Sequence, residues 1–478
     1  MVFSSPTFLF LFLPVLLIVY LLSPGRLKNV VLLLASLFFY AWGEGYFVIV
    51  MLASIVANFI FGIVIESRRS SPFGKWLVAA AVATNLCLLI SYKYANFVAD
   101  NVSIVLVWAG LPEIVLAPVH LPIGISFFTF QAMSYIIDVY RGTNPAQRNP
   151  VDLALYISLF PQLVAGPIVR YHDIAKQIGN REITAEDFST GSRRFIAGFA
   201  KKMIIANPLG EIADTIFALP ASDISPEIAW LGIICYTLQI YFDFSGYSDM
   251  AIGLGRMFGF KFLENFNYPY IALSIQEFWR RWHISLSNWF RDYLYIPLGG
   301  NRVSNFRVYF NLVTVFVLCG LWHGASWNFL IWGLIHGAFL VIEKLGLGRL
   351  LDYAPRFVRH FYVLLVVILA WVFFRVETLP DAVTFLQAMF DLSGNEKMHS
   401  DIGVHYNDSV IFAVIIGCLL STPVLRYLSD KLLVKLRRIS GMKLILDAST
   451  IACYVSVFYL AITYLAAGTY NPFIYFRF

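Results

Sequence analysis

"CGLWHGASWNFLIWGLIHGAF", residues 319–339, contains no Lys, Arg, Asp or Glu. Its polar side chains are few: His323, Ser326, Asn328 and His336. Ser326 is a helix N-capping residue type, so the stretch reads as a helix that ends near His323, a short break, and a second helix. At 1.5 Å per residue, His336 lies about 15 Å along that second helix, near the middle of a hydrocarbon layer about 30 Å thick. A glycine follows each histidine, which lets neighbouring helices approach closely in lipid. The fold implied is a hairpin of membrane helices with two imidazoles inside it.

The rest of the chain agrees. Of 478 residues, 59% are hydrophobic and 13% charged, with a mean hydropathy of +0.72. A soluble chain carries about a quarter charged residues, so much of this surface faces lipid. The apolar runs are long and continuous, which excludes a β-barrel with its alternating pattern. The expectation is an all-α polytopic membrane protein. Candidate spans fall near 7–23, 29–43, 46–65, 76–97, 121–140, 152–168, 194–218, 228–243, 308–322, 326–345, 359–375, 409–427 and 444–467, of which eleven or twelve cross and the rest are re-entrant or interfacial. The first run, "FLFLFLPVLLIVYLL", lacks a basic leader and an A-x-A-like site and reads as a retained span. No internal repeat is visible, so one membrane domain, 1–478, is expected, with its core motifs in 239–340.

Basic loops follow the first span (Arg26, Lys28), the third ("ESRRSSPFGK") and a later one ("RGTNPAQR"), and "KLLVKLRR" (431–438) precedes the last. The loop 376–408 is acidic, with Glu377, Asp381, Asp391, Glu396, Asp401 and Asp408. The positive-inside rule then puts the N-terminus, that loop and the C-terminus outside. The net charge of +6 is ordinary for such a protein and does not point to nucleic acid. Five cysteines lie in apolar segments without a CxxC pair, which gives neither a disulfide framework nor a thiolate zinc site. No carboxylate or thiolate stands at ligand spacing beside the histidines, so no metal is expected.

Two segments are too broken or too polar for plain spans: "FPQLVAGPIVR" (160–170) and "LQIYFDFSGYSDMAIGLG" (238–255), the latter with Gln239, Asp243 and Asp249. Such backbone is tolerated at membrane depth only when buried in protein or beside a wet cavity. A polar chamber is one reading of the two aspartates; helix caps at the interface are the other.

A third segment is more unusual still. "FWRRWHISLSNWFRDYL" (278–294) packs arginines, a histidine and tryptophans together. Ser274 and Glu277 form a capping-box pattern. From Ile275 the large apolar residues trace one helical stripe through Tyr293, with Gln276, Arg280, His283, Ser287 and Arg291 opposite. Such a helix lies along an interface or walls a chamber. The continuation "RDYLYIPLGGNR" (291–302) ends in a Gly-Gly-Asn turn where backbone can approach a ligand. Cys319 lies one turn before His323, so a thiol–imidazole pair is geometrically possible, although a buried cysteine is ordinarily a small hydrophobe. A lone histidine such as His336 is more often a hydrogen-bonded structural residue; the helix break favours a chemical role for His323.

These stretches together resemble the membrane-bound O-acyltransferase family. The likeness rests on "FWRRWHISLSNWFRDYLYIPLGGNR", "GLWHGASWNFLIWGLIHG", "LPIGISFFTFQAMSYIIDVYRG" (121–142), "FPQLVAGPIVR", "YFDFSGYSDMAIGLG", "KYANF" (93–97) and the ending "NPFIYFRF". Within the family the likeness is to membrane subunits of bacterial alginate and exopolysaccharide O-acetylation. It implies helices around a thin centre with funnels from both faces. His323 falls on the Trp-His-Gly position as the catalytic residue, His283 on the second polar position, and His336 on a recurrent His-Gly. It further implies no bound cofactor and acetyl-CoA as cytoplasmic donor substrate, met by Arg280, Arg281 and Arg291, with Ser287, Asp292, Asn301 and Trp322 lining the donor path. The implied setting is the bacterial inner membrane. A separate periplasmic acetyltransferase of SGNH-hydrolase type, with other polysaccharide-acetylation proteins, is the implied partner. Relatives serve alginate, cellulose and other exopolysaccharides or peptidoglycan, and the motifs do not separate them. A transporter of acyl groups, with the histidines as a proton relay, or a scaffold are readings of a different class.

Overall fold

A computed structural model of the chain describes residues 1–220, 223–391, 408–436, 439, 442–468 and 470–472. Glu396 and Asp401 of the acidic loop, Arg437 and Arg438, and Phe473–Phe478 of the ending lie outside these residues. Among the described residues the secondary structure is helical. Seven helices among the described residues have the length and apolarity to cross a membrane, or eight if the bent pair Val410–Leu420 and Val424–Leu436 is one span. Several of the expected eleven or twelve crossings correspond to shorter helices, such as Phe8–Leu22 and Ile125–Arg141. One apolar helix, Ala95–Trp108, was not expected, because Asp100, Asn101 and Ser103 interrupt its hydropathy.

The chain forms two compact units. The first comprises Met1–Ser192 with Ala251–Leu263. Its helices are α1 (Leu13–Leu22), α2 (Lys28–Glu44), α3 (Val48–Arg68), α4 (Pro72–Lys93), α5 (Ala95–Trp108), α6 (Ile125–Arg141), α7 (Pro150–Ser158) and α8 (Tyr171–Gly179). Helix α6 is buried along most of its length and packs on α3 and α4. Helices α3 and α4 are joined by a reciprocal amide pair. Asn58 Nδ2 donates to Asn85 Oδ1 at 3.1 Å, and Asn85 Nδ2 donates to Asn58 Oδ1 at 2.9 Å. Interhelical bonds of this kind stabilise packing in lipid by about 1 kcal/mol. The expectation for "FPQLVAGPIVR" holds. One turn, Phe160–Leu163, is followed by non-helical backbone, and the whole stretch is buried in protein.

The second unit comprises Arg193–Met250 with Glu264–Phe478. In it α9 (Asn207–Phe217) and most of α10 (Pro226–Met257) precede two short helices, α11 (Ile275–Arg281) and α12 (Ile284–Phe290). Then come α13 (Asn305–His323), α14 (Trp327–Ile342), α15 (Arg356–Arg375) and α16 (Leu379–Met389). The α13–α14 hairpin is the most intimate pairing, and glycine is the reason. A methyl group on Gly320 would overlap the Phe329 carbonyl, and one on Gly333 would overlap the Phe316 carbonyl. Small residues at the crossing let the two backbones touch.

The helix-cap reading of Asp243 and Asp249 fails. Both lie inside α10, not at its ends, and both are ion-paired within the protein. Asp243 meets Lys202 at 2.5 Å with both side chains almost fully buried. Asp249 meets Arg194 and Lys201, each at 2.7 Å.

Candidate active site

Helix α13 ends at His323, and Gly324 leaves the helix with extended backbone. Ser326 then occupies the N-cap of α14, although its hydroxyl makes no capping bond. The helix–break–helix reading therefore holds, with His323 at the end of the first helix. It is 6% exposed and enclosed by aromatic rings. Trp322, Trp332 and Phe374 have their centroids 5.0, 5.1 and 5.1 Å from the imidazole.

The opposite wall departs from expectation. The single stripe-bearing helix through 275–293 is two helices, broken at Trp282 and His283. Ser274 caps the first by accepting from the Glu277 N–H at 3.0 Å, while the Glu277 carboxylate takes the N–H of Leu273. The Glu343 carboxylate also holds this helix start, accepting from the N–H groups of Ile275 and Gln276 at 2.6 and 3.1 Å. His283 itself adopts φ 43°, ψ 54°. A left-handed conformation at a non-glycine residue costs about 1–3 kcal/mol and persists where surroundings enforce it. Because of the break, His283 leaves the polar stripe expected of it. It turns inward, fully buried, and its ring lies 6.4 Å from that of His323.

Asn265 enforces this arrangement. Its carbonyl oxygen accepts from the Ser285 N–H at 3.2 Å, from the Ser285 hydroxyl at 2.8 Å, and from His283 Nδ1 at 3.1 Å. The backbone donor fixes which end of the amide is oxygen, so Nδ1 of His283 carries hydrogen. In the neutral ring Nε2 then keeps the lone pair. Burial lowers the affinity of His283 for a proton, to about 3, which keeps the ring neutral. Asn265 carries no periodicity signal in "LENFNYPY", and sequence reasoning missed it.

His336 is fully buried in α14. Its Nδ1 accepts the indole N–H of Trp279 at 3.2 Å, and its ring lies 5.0 Å from that of Trp332. It joins the aromatic enclosure as a hydrogen-bonded member.

Two cavities reach this region at different levels of α13. One, about 410 Å³, is lined by Arg280, Ser287, Arg291, Trp279, Phe316 and Cys319, the last one turn before His323. The other, about 870 Å³, is lined by Gly324–Ser326, just after His323, with Phe329, Phe374, Arg375, Asp214, Glu377 and Asp381 among its walls. Arg280, Ser287 and Arg291 thus share a cavity as expected. Arg281 does not line it; it pairs with Glu277 at 2.8 Å and donates to the Asn267 carbonyl. Asp292 pairs with Arg291 at 2.7 Å. Asn301 is exposed, its side-chain oxygen accepting from Tyr295 and Lys344. Cys319 lines the same cavity as Arg280 and Arg291, with Phe316 and Trp279.

The arrangement offers two close imidazoles, of which His283 is held neutral by burial, in an aromatic enclosure, with a basic cavity reached by the residues before His323 and an acidic one by those after it. Such a site suits acyl transfer to a hydroxyl, where a base must take one proton and water must be kept away.

Comparisons with known proteins agree. The description "MBOAT, membrane-bound O-acyltransferase family" matches residues 75–379. The "Probable alginate O-acetylase AlgI" of Azotobacter vinelandii is 50% identical over 82% of this chain and 78% of its own length. That of Pseudomonas aeruginosa is 49% identical over 82% and 75%. The "Peptidoglycan O-acetyltransferase" of Helicobacter pylori is 37% identical over 87% and 85%. The chain belongs to the membrane-bound O-acyltransferase family and is a multi-pass membrane acyltransferase.

Proposed function

We propose that this protein moves acetyl groups from cytoplasmic acetyl-CoA to the outer face of the inner membrane, for O-acetylation of an exported polysaccharide of the alginate type. The observation that carries the reading is the His283–His323 pair, 6.4 Å apart, with Cys319 before His323 lining one cavity and Gly324 after it lining another of opposite character. The identities near 50% to alginate O-acetylases support the polymer class above the peptidoglycan alternative.

Arg280 and Arg291 suit the donor's phosphates, because guanidinium–phosphate bonds are charge-assisted and forked. Basic residues also stand near the start of α13 (Arg302, Arg307), beyond the end of α14 (Lys344, Arg349) and at the start of α15 (Arg356). The other cavity borders Glu377 and Asp381, at the start of the acidic loop. On the positive-inside rule we read the arginine cavity as cytoplasmic, and, from the basic loops that follow the first and third spans, the N-terminus as outside.

In the reaction His323 takes the proton of an acceptor hydroxyl, and the oxygen attacks the thioester carbon. The carbon–sulfur bond breaks and the thiolate leaves with a proton. His283, its Nδ1 held by Asn265, keeps Nε2 available beside the reacting groups. The final transfer to polymer belongs to a separate periplasmic acetyltransferase of the SGNH-hydrolase type. The test is acetate transfer from labelled acetyl-CoA in everted vesicles, set against sealed right-side-out vesicles. Label uptake only in everted vesicles, lost in His323→Ala at normal expression, is the expected result. Uptake from outside alone, or an active His323→Ala, would overturn it.

A further inference from the structure

His323 is close to the 870 Å³ cavity in sequence and yet is not part of its wall. The residue that intervenes is Phe374. Its ring lines the cavity on one side and meets the His323 imidazole edge-on at 5.1 Å on the other. It is only 4% exposed. Trp332 at 5.0 Å and Trp371 at 5.2 Å hold it from behind, and Phe329 stands at 5.0 Å, nearly perpendicular. Phe329 also lines the cavity, and its ring lies so close to Gly324 that a methyl group there would overlap it. The two phenyl rings therefore form an apolar partition between the imidazole and a cavity whose other walls include Asp214, Arg375, Glu377 and Asp381.

The location matters chemically. The acceptor in this reaction is a hydroxyl, and water is a hydroxyl compound present at far higher concentration. A base that activates an alcohol activates water equally well once water reaches it. Excluding water prevents hydrolysis of reactive acyl groups. An enclosure that adjoins a cavity lined by charged side chains needs a barrier at the point where that cavity meets the base.

We infer that Phe374, backed by Phe329, is a gate that keeps water from His323 until an acceptor displaces it, and so decides between acyl transfer and thioester hydrolysis. This rests on the acetyl-CoA reading above. Without the gate, His323 takes a proton from water and the oxygen attacks the acetyl carbon. The carbon–sulfur bond then breaks, giving acetic acid and free CoA thiol, with no other reactant needed.

The experiment measures free thiol released from acetyl-CoA by purified protein without acceptor. Phe374→Ala should release CoA on the order of tenfold faster than the parent protein. Phe374→Ala with His323→Ala should return to the parent's background, because the leak passes through that base. Phe374→Leu, which keeps an apolar side chain, should fall between and covers the case in which the alanine variant does not fold. Thiol release no faster in either folded variant than in the parent would overturn the gate. A parent that takes up no label from acetyl-CoA in everted vesicles would instead overturn the donor reading. A leak that survives removal of His323 would also overturn the gate.

Discussion

Replacing Asn265 tests the idea that one amide sets both the position and the tautomer of His283. Asn265 is 1% exposed and its oxygen serves three donors. In Asn265→Ala, His283 Nδ1–H and the Ser285 N–H each lose this acceptor. Removing one partner of a buried hydrogen bond costs about 1–3 kcal/mol, so the two together cost about 2–6 kcal/mol. The left-handed backbone at His283 loses its support at the same time. The variant should melt at a clearly lower temperature in detergent and lose most acetyl transfer. Asn265→Asp separates the two roles. It keeps an acceptor and so should restore much of the stability. It also places a carboxylate against an imidazole now held neutral by burial at about 3, and an adjacent negative charge raises proton affinity. If catalysis needs the neutral ring, the acid limb of the pH–rate profile must move to higher pH. Asn265→Ala with the parent's melting temperature and turnover, or Asn265→Asp with an unshifted profile, would refute the argument.

Other expectations are simpler. Arg280 is exposed, lines the arginine cavity and makes no hydrogen bond or ion pair among the described residues, so Arg280→Ala should raise KM for acetyl-CoA by about tenfold, the worth of one charge-assisted bond. Arg281→Ala, which loses only its contacts to Glu277 and Asn267, should leave KM within about twofold; steady-state kinetics on both variants decides. Gly333→Ala drives a methyl group into the Phe316 carbonyl and should destabilise by about 1–3 kcal/mol, read as a lower melting temperature. His172 Nδ1 donates to the Asp138 carboxylate at 2.8 Å, and this hydrogen bond raises the pKa of the imidazole. Its contribution is complete below the unfolded value of about 6.5 and is lost as pH rises through the higher folded value. The melting-temperature gap between the parent and His172→Ala should therefore shrink as pH is raised from 6 to about 9.

The membrane fold was legible because apolar length is a local property. The helix–break–helix at His323 was legible for the same reason: glycine, serine and the end of an apolar run lie in adjacent positions. The break at His283 was not, because 3.6-residue periodicity continues across it. What breaks the helix is a contact from Asn265, eighteen residues away. The ion pairs of Asp243 and Asp249 were not legible because their partners, on residues 194–202, are brought near only by packing. Phe374 gave no signal at all. A phenylalanine inside an apolar span looks like every other, and only its neighbours distinguish it.

The buried pair of Lys202 and Asp243 has a consequence for biogenesis. Helix α10 is the most enclosed of the candidate spans, with 83% of its apolar window buried, and its hydropathy of 1.3 is lower than that of the others. A single Asp near the centre of a span adds about 2.5–3.5 kcal/mol to the cost of insertion. Released alone into lipid, α10 would carry that charge unpaired. Entering together with the segment that holds Lys202, it carries a neutral ion pair, 2.5 Å long, with the ammonium further capped by the Pro472 carbonyl at 2.7 Å. The order in which the ribosome delivers these segments, lysine first and aspartate forty-one residues later, leaves the cation waiting for its partner. Membrane entry of the two segments together is therefore less costly than entry of either alone.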